Sequence, residues 1–168
     1  MAGLRRQATH AALQGAAAVF LSQGPLGDPI VLAAGLGPVV PDLLLGARIR
    51  LGPEARHPAV LARDFASFDL VCGGRSVLCF GPPFTEDVAE AVSLCRALWQ
   101  QEGAVVGSGP RFPVQAAAGR SRPAGSGSPL IAFDLTAGQE LPTFVAGAAD
   151  LVVLPGPAAP DVCRLERV

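Results

Sequence analysis

Arg56-His57-Pro58 sets a guanidinium beside an imidazole, directly ahead of an amphipathic stretch. Arginine can fork onto a phosphate. Histidine can give or take a proton near neutral pH, so His57 is the candidate catalytic residue. The same residues also read as framework. Pro58 suits a first helical position, which makes His57 the residue that starts the helix. Arg56 can form a surface ion pair with Glu54 or Asp64. Other small and polar residues follow apolar runs: Ser22 and Gln23, Gly52 to His57, Gly81 and Pro82, Asp134 to Gly138 with Thr136 between, and Pro155 and Gly156. If those runs are strands of a parallel sheet, these positions lie at its carboxyl ends, where such sheets place their binding groups. No GxSxG, HExxH, P-loop or GxGxxG pattern is present, so no nucleophile–base pair or phosphate loop is indicated. Cys72, Cys79, Cys95 and Cys163 form no CxxC pair, and only His10 and His57 could join them. They read as reduced core cysteines, and no metal site is expected.

The elements that must position these residues follow from periodicity. Residues 4–16 are Ala-rich and helical. Residues 17–21 are a short apolar strand closed by Ser-Gln-Gly. Asp28-Pro29 opens a helix, with Asp as its cap and Pro in its first turn, fading at Gly35. The next strand lies within 43–51, centred on 47–51. Leu61, Phe65 and Phe68 give the following helix one buried face, ended by Gly73-Gly74. Residues 76–80 are continuously apolar, as in a strand covered on both sides. Thr85 can cap the next helix, with Glu86 and Asp87 complementing its positive end. Val88, Ala91, Val92, Cys95, Leu98 and Trp99 hold its period, which places Trp99 in the core. Arg75 precedes a strand, on the face away from chemistry, and is structural; Asp64 and Asp69 read as solvated or capping. Residues 103–114 could form a short extended pair, and about 116–128 is a Gly/Ser/Pro-rich flexible loop. Two further strands, 129–133 and 150–154, bracket a short helix at 141–148 that has Pro142 in its first turn. The tail from Pro155 reads as irregular.

The reading is one domain, residues 1–168: an α/β fold with a parallel sheet of about five strands and flanking helices. Half of the residues are hydrophobic and 16% are charged, which suits a buried parallel sheet or a subunit that covers surface against a partner. A net charge of −1 gives no reason to expect nucleic acid or an anionic membrane. All thirteen basic residues are Arg, while Lys, Asn and Tyr are absent, which points to coding bias rather than function. No signal peptide or membrane-length apolar run is seen, and a cytoplasmic location is expected.

The segment RHPAVLAR…FDLVCGGR…LCFGPP, within residues 48–84, resembles the luciferase-like flavin-dependent oxidoreductases. The resemblance runs from about residue 16 to 155. AAAVFLSQ is similar to the second strand of that family's (β/α)₈ barrel, ARIRLG to the third and SVLCFGPPF to the fourth. PLIAF and ADLVVLPG are similar to the fifth and sixth. The resemblance therefore implies an incomplete or remodelled TIM-like barrel. It implies FMN or F420 as cofactor, with Ser22, Gly52, Arg56, Gly81, Pro82, Thr136 and Gly138 as cofactor contacts and His57 as the catalytic residue. It also implies that Arg120 and Arg122 lie near the active-site mouth. Asp134 stands where the family has small residues near phosphate. Its carboxylate would repel that group, with Thr136 and the amides near Gly138 in partial compensation. Two functions follow: a flavin-dependent oxidoreductase or monooxygenase subunit, or a non-catalytic flavin-binding or partner subunit that stabilises a related chain. Open sheet edges imply a homodimer or a heteromer with a luciferase-like subunit.

Overall fold

Apolar strands alternating with one-faced helices build a sheet covered by helices, seen here in a computed structural model that describes residues 1–52, 55–107, 109–118, 123–124, 128–155 and 163–168. In chain order the elements are α1 (Ala2–Leu13), β1 (Ala18–Ser22), α2 (Pro29–Ala34), β2 (Leu44–Ile49), α3 (Pro58–Val71), β3 (Ser76–Phe80) and α4 (Glu86–Gln100). Then come β4 (Ala104–Gly107), β5 (Val114–Ala118), β6 (Leu130–Asp134), α5 (Thr143–Ala146), β7 (Leu151–Pro155) and β8 (Cys163–Arg167). The main sheet has the order β1-β2-β3-β6-β7-β8. Its first five strands run parallel and β8 pairs antiparallel to β7. With its helices, it forms half of a TIM-like barrel. β4 and β5 form a separate antiparallel hairpin.

Several expectations are corrected. The five parallel strands are present as expected, and the tail, read as irregular, adds β8 as a sixth, antiparallel strand; residues 156–162 lie outside the described residues. β2 begins earlier than residues 47–51, its first residues pairing with β1. Residues 116–118, assigned to a loop, belong to β5 because they pair with β4. Most of the remaining loop, with Arg120 and Arg122, lies outside the described residues. Pro142 precedes α5 rather than entering its first turn.

Local chemistry explains the helix ends. Asp28 Oδ1 accepts from the amides of Ile30 at 2.9 Å and Val31 at 3.2 Å, capping α2. α3 ends at Gly73 and Gly74, whose φ of +66° and +81° lie in the left-handed region that glycine adopts freely. Thr85 precedes α4 without a side-chain cap bond. The guanidinium of Arg75 donates to the carbonyls of Gly37, Val40 and Leu43 at 2.6–2.9 Å, tying the α2–β2 connection to the start of β3. Trp99 is buried and donates from Nε1 to Ala62 O at 2.9 Å, joining α4 to α3. Asp69 is neither solvated nor a cap, being only 2% exposed.

Strand side chains alternate between two apolar clusters. Leu45, Ala47, Leu78, Phe80, Ile131 and Phe133 pack with the helices. Val77, Cys79, Ala132, Leu151 and Val153 pack on the other, concave face. Phe20 and Leu165 border that smaller cluster. The Phe20 ring lies across Gly46, where any Cβ would collide with it.

Cys72, Cys79 and Cys95 are buried free thiols; the Cys163 side chain lies outside the described set. Burial pushes the Cys95 thiol up from its ordinary 9.0 to about 12, because a thiolate there would lose its hydration. The shift is upward, so the unfolded chain releases this proton first. The associated stability is complete below pH 9.0 and is lost as pH rises from there toward about 12. Iodoacetamide at pH 8 is therefore expected to leave Cys95 unmodified in the folded protein and to alkylate it in urea, as read by peptide mass mapping. Equal labelling in both states would contradict its burial.

Candidate functional site

β1, β2, β3 and β6 all point their carboxyl ends to one side of the sheet. Between those ends lies a cavity of about 530 Å³, within the usual range for small-ligand sites. Ser22 ending β1 with Gln23 just after it, and Arg48 in β2 with Arg50 just after it, line one part of it. Gly81 and Pro82 after β3 and Asp134 ending β6 line the rest.

The residues reach this place through strand alternation. Leu45, Ala47 and Ile49 belong to or pack on the helix-side core, so Gly46, Arg48 and Arg50 take the opposite face. Arg48 Nε lies 2.9 Å from Asp134 Oδ2, both side chains being little more than a quarter exposed. The ion pair spans β3, which runs between β2 and β6. The Arg48 guanidinium also sits over the Phe20 ring, 5.5 Å from its centroid, a cation–π distance. Arg50 is exposed, and its stem lies against Gly81: a Cβ there would sit 3.6 Å from Arg50 Cγ and 3.7 Å from Nε. Asp134, expected to repel phosphate with partial compensation from Thr136 and the amides near Gly138, is instead paired with Arg48.

Three of the expected contacts, Ser22, Gly81 and Pro82, come together in this cavity. The others do not line it. Gly52, Arg56 and His57 sit in the loop after β2. Arg56 ion-pairs with Asp28, and with Asp64 at 3.5 Å, so it links α2 to α3; Glu54 lies outside the described residues. His57 Nδ1 accepts from the Ala59 amide at 3.2 Å, capping α3. The His57 ring also meets Phe112 edge-on, with centroids 5.6 Å apart. Thr136 and Gly138 are exposed in the turn after β6. The amide and hydroxyl of Thr136 donate to Gln139 Oε1 at 3.1 and 3.0 Å.

Arg48 and Arg50 were not among the expected contacts, since ARIRLG reads first as a framework strand. The signal was available: Gly46, Arg48 and Arg50 recur every second residue between apolar ones, which sends both guanidiniums to one face. A larger cavity of about 900 Å³ lies against α1 and β1. It is lined by Ala8, Ala11, Phe20 and Leu165 among others and reaches Arg48 at one end. It gathers few donors and lies away from most strand ends, so the smaller cavity is the better chemical site. Among the described residues no group of three His, Cys, Asp or Glu is placed to hold a metal. No helix among them is long and apolar enough to cross a membrane.

Comparison with known proteins fits this geometry. No curated protein sequence matches the chain. Among solved structures, EDTA monooxygenase from Chelativorans sp. BNC1 superposes with a TM-score of 0.70 at 19% identity, over 88% of this chain and 45% of that one. An F420-dependent secondary alcohol dehydrogenase, solved with an F420-acetone adduct, gives 0.69 at 18% identity, over 89% of this chain and 52% of that one. The oxygenating constituent of 3,6-diketocamphane monooxygenase from the CAM plasmid of Pseudomonas putida, in complex with FMN, gives 0.64 at 17% identity, over 79% and 45%. The chain thus spans about half the length of these structures, and the likeness is one of fold. The family model for luciferase-like monooxygenases matches residues 1–154. That span contains β1, β2, β3 and β6, whose ends build the cavity, and the chain belongs to the luciferase-like monooxygenase family.

Proposed function

We propose that this chain is a flavin-dependent oxidoreductase or monooxygenase subunit that takes FMN or F420 at the carboxyl ends of β1, β2, β3 and β6. The observation that carries the reading is the cavity there, rich in hydrogen-bond donors, in a chain of this family. The solved neighbours holding FMN and an F420 adduct support it as relatives in fold. The donor set suits such a group at the mouth: Arg50, Ser22 and Gln23 can donate to its oxygens and nitrogens. Below the mouth the fit ends, because Phe20 lying over Gly46 and the Arg48–Asp134 pair fill the concave face. When bound, flavin supplies the redox chemistry. Ser22, Gly81, Pro82 and Arg50 would orient it. Gly52, Arg56, His57, Thr136 and Gly138 belong to loops on the same side of the sheet, and His57 is the proton carrier of this reading through Nε2, its Nδ1 being engaged in the cap.

That filled concave face favours a second reading, a non-catalytic flavin-binding or partner subunit for a related chain. In both readings the side of β1 that pairs with no strand among the described residues, the edge of the sheet, faces a second copy or a luciferase-like subunit. Titration of the purified protein with FMN and with F420, followed by flavin fluorescence, is expected to show saturable quenching at micromolar protein. Light scattering on the same sample is expected to give more than a monomer mass. Saturable binding followed by oxidation of the reduced cofactor in the presence of candidate substrates selects the enzyme. Binding without turnover selects the carrier or partner. No binding of either cofactor sinks both readings, and a clean monomer removes the partner.

A further inference from the structure

We propose that Arg50 is the oxyanion-holding residue of the cavity, so that its ligand is recognised through a phosphate or carboxylate group. The inference rests on reading this cavity as the ligand site but not on flavin being the ligand. Three observations on different links of the structure support it.

The first is donor balance. Arg48, Arg50, Ser22 and Gln23 all bring N–H or O–H donors to the cavity, while its single carboxylate, Asp134, is held by Arg48 at 2.9 Å. The remaining charge is one positive guanidinium, which calls for an anion.

The second is the placement of Arg50. Its stem rests along the backbone at Gly81, within van der Waals reach of the position a Cβ would take. An alanine at 81 would only touch that stem at ordinary contact distance. The guanidinium is thereby carried toward the cavity on a support, which lowers the entropy lost on capturing a ligand.

The third is what the guanidinium does not do. Among the described residues no ion pair or hydrogen bond engages Arg50. Arg56, Arg63, Arg75, Arg96 and Arg111 are each committed to a carboxylate or to carbonyls. A guanidinium offers five donors in a planar fork, matched to two oxygens of one phosphate or carboxylate. Ser22 and Gln23 line the same cavity and can donate to a third oxygen.

The test uses calorimetry on the full chain with three probes: inorganic phosphate, FMN, and riboflavin, which lacks the phosphate. Wild type is expected to bind phosphate, and Arg50→Gln to weaken it by about tenfold or more, the loss of a charge-assisted bidentate contact. Arg50→Lys is expected to recover part of that loss, keeping the charge without the fork. Arg50 is exposed and outside both apolar clusters, so the variants should melt like wild type. If the anion belongs to the cofactor, FMN binds about tenfold tighter than riboflavin and Arg50→Gln abolishes the difference. If it belongs to another ligand, FMN and riboflavin bind alike in both proteins, and phosphate alone responds to Arg50. Phosphate binding that depends on Arg50, without any flavin binding, leaves this proposal standing and removes the flavin reading. Absence of phosphate binding to wild type, or equal binding to Arg50→Gln, overturns it.

Discussion

Replacing Asp69 with alanine is expected to lower the unfolding free energy by about 3 kcal/mol, the largest loss from any single polar side chain described here. Asp69 is 2% exposed near the end of α3. Its Oδ1 accepts from the Ser76 amide at 3.2 Å and from Ser76 Oγ at 2.6 Å. Its Oδ2 accepts from the Ala124 amide at 2.9 Å. One carboxylate thus fastens the start of the central strand β3, the end of α3 and the segment at residues 123–124. Alanine would strand two backbone donors and a hydroxyl, each costing about 1–3 kcal/mol when buried. Removing a buried charge returns part of that cost, which brings the sum to about 3 kcal/mol. Asn keeps one acceptor and should lose less, about 1–2 kcal/mol. Urea unfolding measures both. An alanine variant within about 0.5 kcal/mol of wild type would mean that water replaces the carboxylate and that this junction is open.

Phe133→Ala is expected to cost about 3–5 kcal/mol and, unlike the Asp69 change, to reach the cavity. Phe133 is fully buried on β6. Its ring stacks on Phe80 with centroids 6.0 Å apart and meets Phe84 edge-on at 5.6 Å. Phe80 ends β3, and Phe84 lies beyond the Gly81-Pro82-Pro83 turn. The three rings therefore clamp the turn that carries Gly81 and Pro82 into the site. Losing the middle ring removes apolar contact on both sides and leaves a cavity that rigid neighbours only partly fill. Hydrogen exchange should then rise at Gly81 and Phe84 before it rises in α3. Phe133→Leu should restore most of the stability. A variant that loses stability while the turn stays as protected as in wild type would separate the core from the site.

The sequence showed some parts of this structure and concealed others for physical reasons. Asp28-Pro29 and His57-Pro58 announced two helix starts, because capping and the fixed φ of proline are local properties. Both residues are caps in the structure. Val77–Phe80 was equally plain, since a strand buried on both faces reads as an unbroken apolar run. β8 was hidden because Cys163–Arg167 is mostly charged; Leu165 packs on the concave face, and pairing with β7 makes it a strand. Asp69 was misread because nothing local shows that Ser76 and Ala124 will return to it. The carboxyl-end rule pointed to Ser22, Gly81 and Pro82, which the structure places around one cavity. It missed Arg48 because a residue inside a strand reads as framework until the neighbouring strand brings Asp134 beside it.

The antiparallel strand β8 sets a direction of growth. A parallel barrel continues by laying each new strand beside the last one, in the same sense. Here the free side of β7 is already taken, and the strand that takes it runs backwards with Glu166 and Arg167 exposed. The winding is stopped at that rim, and charge there discourages another strand from attaching. The opposite rim, β1, keeps its parallel sense and an apolar Ala-Val-Phe-Leu run. Addition at β1 extends the existing curvature, whereas addition at the far rim first requires β8 to leave. The half-barrel is thus one-ended.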